Sequence, residues 1–275
     1  MKMRILVALD ESRWAAAAAT TALRLAGASP QSVEILAVHV IPVAPLSGVL
    51  LRDLAGLMGF EPVLVPEQVE AVYRKRGEAL LERFAARAQS AGVSHRTLLE
   101  SGNVVARLCH HAADADLVIA GVRGENEEQE EGTGGSTLER LVKRCPVSLI
   151  AVGDQAPRME RIAVGYDGSA GAQGALKAVR HIGEVLPIQV EVLTVGQERA
   201  PLDEALADMS NSGLPVQGHL LDGEAHEALG AAALENGADL LALGYRGRSW
   251  LSDVLLGRVT EYLLGRLPVA LLVAR

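Results

Sequence analysis

Short apolar runs separated by amphipathic stretches recur along the whole chain. Arg4 to Leu9 is a run of Ile, Leu, Val and Ala short enough for a strand buried on both faces, and Asp10 closes it. Ser12 is placed to cap a helix whose alanine-rich body runs from Trp14 to Ala26 and ends at Gly27. Val33 to Val40 predicts a second strand. Ile41 to Val65 is irregular, apolar and proline-bearing, and leads into a long helical pattern from Pro66 to about Ala91. Ser94 to Leu99 predicts a third strand, Ser101 and Gly102 a turn, and Val104 to Ala112 a helix. Leu117 to Ala120 is a fourth strand that delivers the chain to Gly121. A polar loop, Arg123 to Gly134, precedes a helix near Thr137 to Arg144, and Pro146 introduces a fifth strand, Val147 to Val152. Strands that alternate with helices in this way imply a parallel sheet covered on both faces.

After a short polar linker, Gly153 to Arg158, the same order restarts. Arg161 to Tyr166 repeats the first strand, and Asp167 with Ser169 repeats Asp10 with Ser12 at an offset of 157. Glu191 to Val195 and Val216 to Leu221 repeat the second and third strands, and Gly223 matches Gly102. Gly237-Ala238-Asp239 matches Asp114-Ala115-Asp116 at an offset of 123, ahead of the apolar run Leu240 to Leu243. Gly257, Glu261, Pro268 and Val269 match Gly135, Glu139, Pro146 and Val147 at 122. The chain is an internal duplication. Most of Ile41 to Tyr73 has no counterpart in the second half, so only the amino-terminal half is expected to carry a long cover segment.

Composition narrows the function. With 275 residues, 49% of them hydrophobic, the chain can bury the cores of two domains. A net charge of -8 without a clustered Lys/Arg tract argues against nucleic acid as a partner. The start, MKMRILVALDES, lacks the features of a signal peptide, and Val38 to Leu51 is too short to span a bilayer; a cytoplasmic protein with no membrane partner is expected. Cys109 and Cys145 have no CxxC or metal-ligand spacing and are expected as buried thiols. His110 and His111 are adjacent and point apart on a helix, which suits a solvated face rather than a metal pair; His39 is expected as a packed strand-end residue. Glu100, Asp222 and Glu224 need no role beyond surface solvation. Trp14 and Trp250 are expected to pack at a domain surface or interface rather than stack a base.

The candidate chemistry sits at strand ends. In an open parallel sheet a ligand binds beyond the carboxyl ends of the strands, where the strand order reverses. If strands one and four are neighbours, Asp10 lies beside Gly121 and Asp167 beside Gly244. A carboxylate there can accept hydrogen bonds from ribose hydroxyls, and the glycine turn with the following helix start can receive phosphates. The second half reads GYRGRSWLSDVLLG from Gly244 to Gly257, a GxxG turn and a third glycine. Arg246 and Arg248 flank Gly247 and favour phosphate. In the first half Glu125, Glu127, Glu128, Glu130 and Glu131 follow the turn. Folded over a triphosphate, each would oppose it by about 1 kcal/mol at 4 Å in a water-like dielectric. Turned outward they form a solvated face, and a cation between them is a further option, without EF-hand spacing to support it.

These landmarks make the chain similar to tandem members of the universal stress protein family, whose nucleotide-binding pattern is GxxG, nine residues, then Gly followed by Ser or Thr. Asp167, Gly244, Gly247 and Gly257 fit that spacing, but Arg258 stands where the hydroxyl is expected; it could clamp a phosphate, or fill the space and pair with Asp253 or Asp167. Asp10, Gly121, Gly124, Gly135 and Ser136 keep the hydroxyl but have ten residues in the gap. The resemblance implies two doubly wound α/β domains, 1–153 with an insertion at 41–75, and a shorter 160–275. It implies five-stranded parallel sheets in the order 3-2-1-4-5, of the adenine nucleotide alpha hydrolase type. It implies that the two last strands pair, making an internal pseudo-dimer and leaving a further homodimer open. It also implies ATP, often with Mg²⁺, as the cofactor, with adenine near Val40 or Val195.

Two functions follow. One is a nucleotide-binding stress or regulatory protein in which ATP sets the shape seen by an unidentified protein partner. The other is an interaction module with degenerate sites, its contact surface at Pro42 to Pro66. An enzyme is not expected: there is no HxGH signature, no SGGxDS-type loop, no triad, and no general base for ATP hydrolysis.

Overall fold

The apolar runs pair into a single ten-stranded sheet in the order β3-β2-β1-β4-β5-β10-β9-β6-β7-β8. The computed structural model describes residues 2–42, 66–125, 136–245, 258–264, 266 and 268–275. The first half contains β1 (Met3–Ala8), β2 (Val33–Pro42), β3 (Ser94–Gly102), β4 (Leu117–Gly121) and β5 (Ser148–Val152). The second contains β6 (Arg161–Gly165), β7 (Gln189–Val195), β8 (Val216–Leu221), β9 (Leu240–Gly244) and β10 (Ala270–Ala274). Each half has the expected order 3-2-1-4-5, all its pairings are parallel, and β5 meets β10 antiparallel.

Helices cover both faces, which is why the strands read as unbroken apolar runs. Ile5 and Val7 face one side of the sheet and Leu6 the other, and all three are fully buried. One face packs on α1 (Arg13–Ala28), α2 (Pro66–Ser90), α5 (Ala170–Gly183) and α6 (Ala200–Met209). The other packs on α3 (Val104–Ala112), α4 (Ser136–Arg144), α7 (Ala225–Glu235) and α8 (Arg258–Leu263). Of these, α6 is not foreshadowed by the apolar pattern. It covers β7 and β8 where the 25-residue α2 covers β2 and β3, so the second half has a short cover of 10 residues in place of the long one. The irregular segment 43–65 lies outside the described residues.

The seam has a near two-fold character. Ile150 faces Leu272 across it, and these residues are 122 apart, the offset that relates the ends of the two halves. Arg275 crosses this seam: its guanidinium donates to the carbonyls of Val142 (2.6 Å) and Lys143 (3.1 Å) at the end of α4 and lies 3.6 Å from the centroid of the Tyr245 ring. It satisfies helix-end carbonyls of the other half and stacks at the same time. Arg275→Ala should destabilise the protein by about 1–2 kcal/mol in urea unfolding. A midpoint equal to wild type would show that solvent already serves those carbonyls.

Candidate functional site

Asp10 leaves the carboxyl end of β1, and its two oxygens are held by different parts of the chain. Oδ1 accepts the N–H of Ser12 at 2.9 Å, and Ser12 Oγ in turn accepts the N–H of Ala15, which caps α1. Oδ2 accepts the N–H of Glu125 at 3.0 Å, tying the turn after β4 to the end of β1. His39 on β2 completes the fixation, its Nδ1–H reaching the Leu9 carbonyl at 2.8 Å. This is the packed strand-end role expected of His39. Thr194 does the same in the second half, donating from Oγ1 to the Tyr166 carbonyl at 3.0 Å.

The glycines at this edge serve close packing. A Cβ on Gly121 would stand 2.7 Å from Trp14 Cβ and 2.9 Å from its carbonyl carbon, so β4 approaches the head of α1 as only glycine permits. On Gly244 it would stand 2.4 Å from the carbonyl carbon of Gly171, in the first turn of α5. Gly124 has space, but a Cβ there would lie 3.2 Å from Asp10 Oδ2. Trp14, expected to pack at a domain surface or interface, is buried against Gly121, with the guanidinium of Arg13 at 4.7 Å and that of Arg123 at 5.9 Å from its ring centroid.

Asp10, Gly121, Gly124 and Val40 are brought together on one cleft in the first half, with a cavity of about 150 Å³. Its inner wall is apolar: Val38 and Val40 from β2, Val104 and Leu108 from α3, Leu138 and Leu141 from α4. Its mouth carries Asp10, Arg123 and Thr137. The α3 and α4 contributions escape a reading by motif. Their signal is the apolar spacing 104/108 and 138/141, one helical turn apart, which marks inward faces without saying what lies between them. Ser136 opens α4, with its side chain outside what is described, and Gly135 lies outside the described residues, as do Glu127, Glu128, Glu130 and Glu131.

In the second half Asp167 repeats the turn, its Oδ1 accepting the N–H of Ser169 at 3.0 Å, and Ser169 Oγ accepts that of Ala172. Gly244 ends β9, where its carbonyl accepts from Thr260 Oγ1 at 3.1 Å, and Val195 ends β7, half-buried. Gly247, Gly257, Arg246, Arg248 and Trp250 lie outside the described residues, and Arg258 opens α8 with its side chain undescribed. Tyr166 stands where the first half has Leu9. Its hydroxyl donates to Glu204 at 2.8 Å, and burial together with that carboxylate pushes its pKa up to about 12.

Two surface expectations need correction. His111 is half-buried, with Nε2 2.8 Å from Glu100, and Glu100 also faces Arg107 at 3.4 Å, so the acid joins β3 to α3; only His110 is solvated. The adjacent positions hid this because the partner lies on the preceding strand. The cysteines are free, Cys145 buried and Cys109 half-buried. Burial and then the neighbouring Cys145 push Cys109 up to about 11, and burial also raises Cys145. At pH 8 Cys109 should react with a disulfide reagent about a hundred times more slowly than an ordinary thiol, since the thiolate is the reacting form. A rate like that of free cysteine would contradict the burial argument.

Comparison with known proteins decides the lineage. The universal stress protein family model matches residues 1–153 and 197–275. The chain belongs to the universal stress protein family. A universal stress protein of Synechocystis sp. is 27% identical over 194 residues, 68% of either chain. Among solved structures, a universal stress protein from Archaeoglobus fulgidus superposes with a TM-score of 0.76 at 19% identity, covering 99% of this chain and 98% of that one. A functionally unknown protein from Pseudomonas aeruginosa gives 0.67 at 16% identity, covering 99% and 92%. These likenesses fix the fold of this family member as the doubly wound arrangement described above. Among its described residues no helix is long and apolar enough to cross a membrane, and no group of three His, Cys, Asp or Glu gathers to hold a metal ion.

Proposed function

We propose that this universal stress protein binds an adenine nucleotide in the cleft of its first half and acts through that binding, not as a catalyst. The observation that carries the reading is the cleft itself. An apolar slot suited to a purine opens onto a carboxylate suited to ribose and a glycine turn suited to phosphate. In this reading the base lies against Val40, Val104 and Leu108, Asp10 accepts from a ribose hydroxyl, and Arg123 with the Gly121–Gly124 turn meets the phosphates. Mg²⁺ would enter with the phosphates, since among the described residues the cleft offers only the carboxylates of Asp10 and Glu125. The polar groups nearest the slot, Asp10 and His39, already hold backbone groups, which suits a binding site better than a proton-transfer site.

Equilibrium dialysis with ATP and Mg²⁺, with and without chelator, tests this. Leu108→Trp, which fills the slot from α3, should weaken binding at least tenfold. No binding at millimolar ATP, or binding that Leu108→Trp leaves untouched, would refute the assignment to this cleft. One observation favours a second reading, an interaction module with a degenerate site. Asp10 spends both oxygens on the chain's own N–H groups, as it would if the acid served only to pin the turn.

A further inference from the structure

The duplication sets the first-half slot beside its own counterpart. The slot has a floor as well as walls, made by Ala8 at the end of β1 and Ala120 on β4. β1 and β4 run in register at Val7 and Ile119, and β6 and β9 at Val164 and Ala242. The next residues on each pair of strands are therefore Ala8 with Ala120 in the first half and Gly165 with Leu243 in the second. Val38 and Leu193 correspond as well, as the partners of Ala8 and Gly165 on the neighbouring strand. The helix above supplies Leu108 in one half and Leu229 in the other, at the offset of 121 that joins Gly102 to Gly223.

The same frame is filled differently in the two halves. Over Ala8 and Ala120 the cavity of about 150 Å³ stays open. In the second half the Leu243 side chain reaches from β9 onto β6: a Cβ on Gly165 would stand 2.5 Å from Leu243 Cδ2 and 3.2 and 3.4 Å from the two Cδ atoms of Leu229. The glycine leaves room for both leucines, which are buried, and Leu193 beside them is fully buried. Two changes remove volume, Ala225 for Val104 and Thr260 for Leu138. These smaller side chains let the helices settle onto the strand ends: Leu229 lies over Gly165, and the buried Thr260 donates from Oγ1 to the Gly244 carbonyl at 3.1 Å. What is a lined slot in one half is close-packed core in the other.

We propose that these two floor positions decide whether a half accepts a base: Ala8 with Ala120 opens the slot, Gly165 with Leu243 closes it, and each chain therefore holds one adenine nucleotide. The inference rests on the reading of the first-half cleft for its ligand, but not for the packing that closes the second. The isobutyl group of Leu243 stands where Ala120 has a methyl, so a base could enter the second half only by displacing buried leucine atoms. A pocket rejects by shape in this way, since even one added methylene is felt. Asp167 keeps its turn regardless, because that turn carries the Ser169 cap of α5.

Two measurements on the full chain test it, and the first needs no nucleotide. Gly165→Ala should lower the thermal midpoint by about 3–6 °C, since its methyl meets Leu243 and Leu229. In a Leu243→Ala background the same change should lower it by less than about 2 °C, because the closest contact is gone. Equal costs in the two backgrounds would overturn the closure. The second measurement is equilibrium dialysis with ATP and Mg²⁺. The wild type should saturate at one nucleotide per chain. Ala8→Gly with Ala120→Leu carries the second half's pair into the first, and should weaken that binding at least tenfold while the far-ultraviolet circular dichroism stays that of the wild type. Saturation at two per chain, or binding that the exchanged pair leaves unchanged, overturns the proposal. Absence of binding at millimolar ATP, with the packing coupling present, would refute the nucleotide reading while supporting the closure of the second half.

Discussion

Replacing Gly244 with alanine should destabilise the protein by about 3 kcal/mol, at the upper end of what overpacking one methyl costs. The new Cβ would lie 2.4 Å from the carbonyl carbon of Gly171 and 2.7 Å from its Cα and oxygen. All three are backbone atoms in the first turn of α5, so no side-chain rotation relieves the contact. The helix must lift off β9, and it cannot do so without disturbing the Ser169 cap and the Asp167 turn behind it. For a chain of this size the thermal midpoint should fall by roughly 6–12 °C. Gly27→Ala is the matched control: it lies in α1 with nothing within 4 Å, and should stabilise by about 0.5–1 kcal/mol. A Gly244→Ala midpoint within experimental error of wild type would mean that the glycine is dispensable to packing.

Asp10→Ala should separate the two roles its carboxylate could play. Losing the bonds to Ser12 and Glu125 should cost about 1–2 kcal/mol of stability whatever the ligand. If the acid also receives a ribose hydroxyl, the wild type should prefer ATP over its 3′-deoxy or 2′-deoxy analogue by about tenfold, the worth of a hydrogen bond to a charged group. In the variant that preference should shrink to less than about twofold, because the partner of the missing hydroxyl is gone. Isothermal titration of four combinations gives the coupling directly. Equal discrimination in both proteins would leave Asp10 a purely structural residue and move the ribose contact elsewhere.

Much of this fold is legible in the chain because the strands are buried on both faces. Runs such as Arg4–Leu9 and Leu117–Ala120 can be read as strands without periodicity, and the restart at Arg161 fixes the second half by comparison with the first. The strand order and the pairing of β5 with β10 came from resemblance, since apolar runs do not state their neighbours. The helix Ala200–Met209 lies in the gap between Val195 and Val216, which holds no apolar run of the kind that marks the strands. At the site, Asp10 and the glycines stand out as a motif, but what they touch does not. The bond from Glu125 to Asp10 joins residues 115 apart, and the reason for Gly121 is the position of Trp14. The apolar wall from Val104, Leu108, Leu138 and Leu141 reads as ordinary helix core until the two helices are placed over one strand end.

The antiparallel meeting of β5 with β10 also says what each half would be without the other. Ser148–Val152 is buried from Leu149 onward and Ala270–Ala274 is buried throughout, so either half alone would end in a bare hydrophobic edge strand with unpaired backbone groups. Such an edge recruits whatever strand comes near, including another copy of itself. Carrying the complementary edge on the same chain means that each newly made half meets its proper cover at high local concentration, before it can meet a stranger.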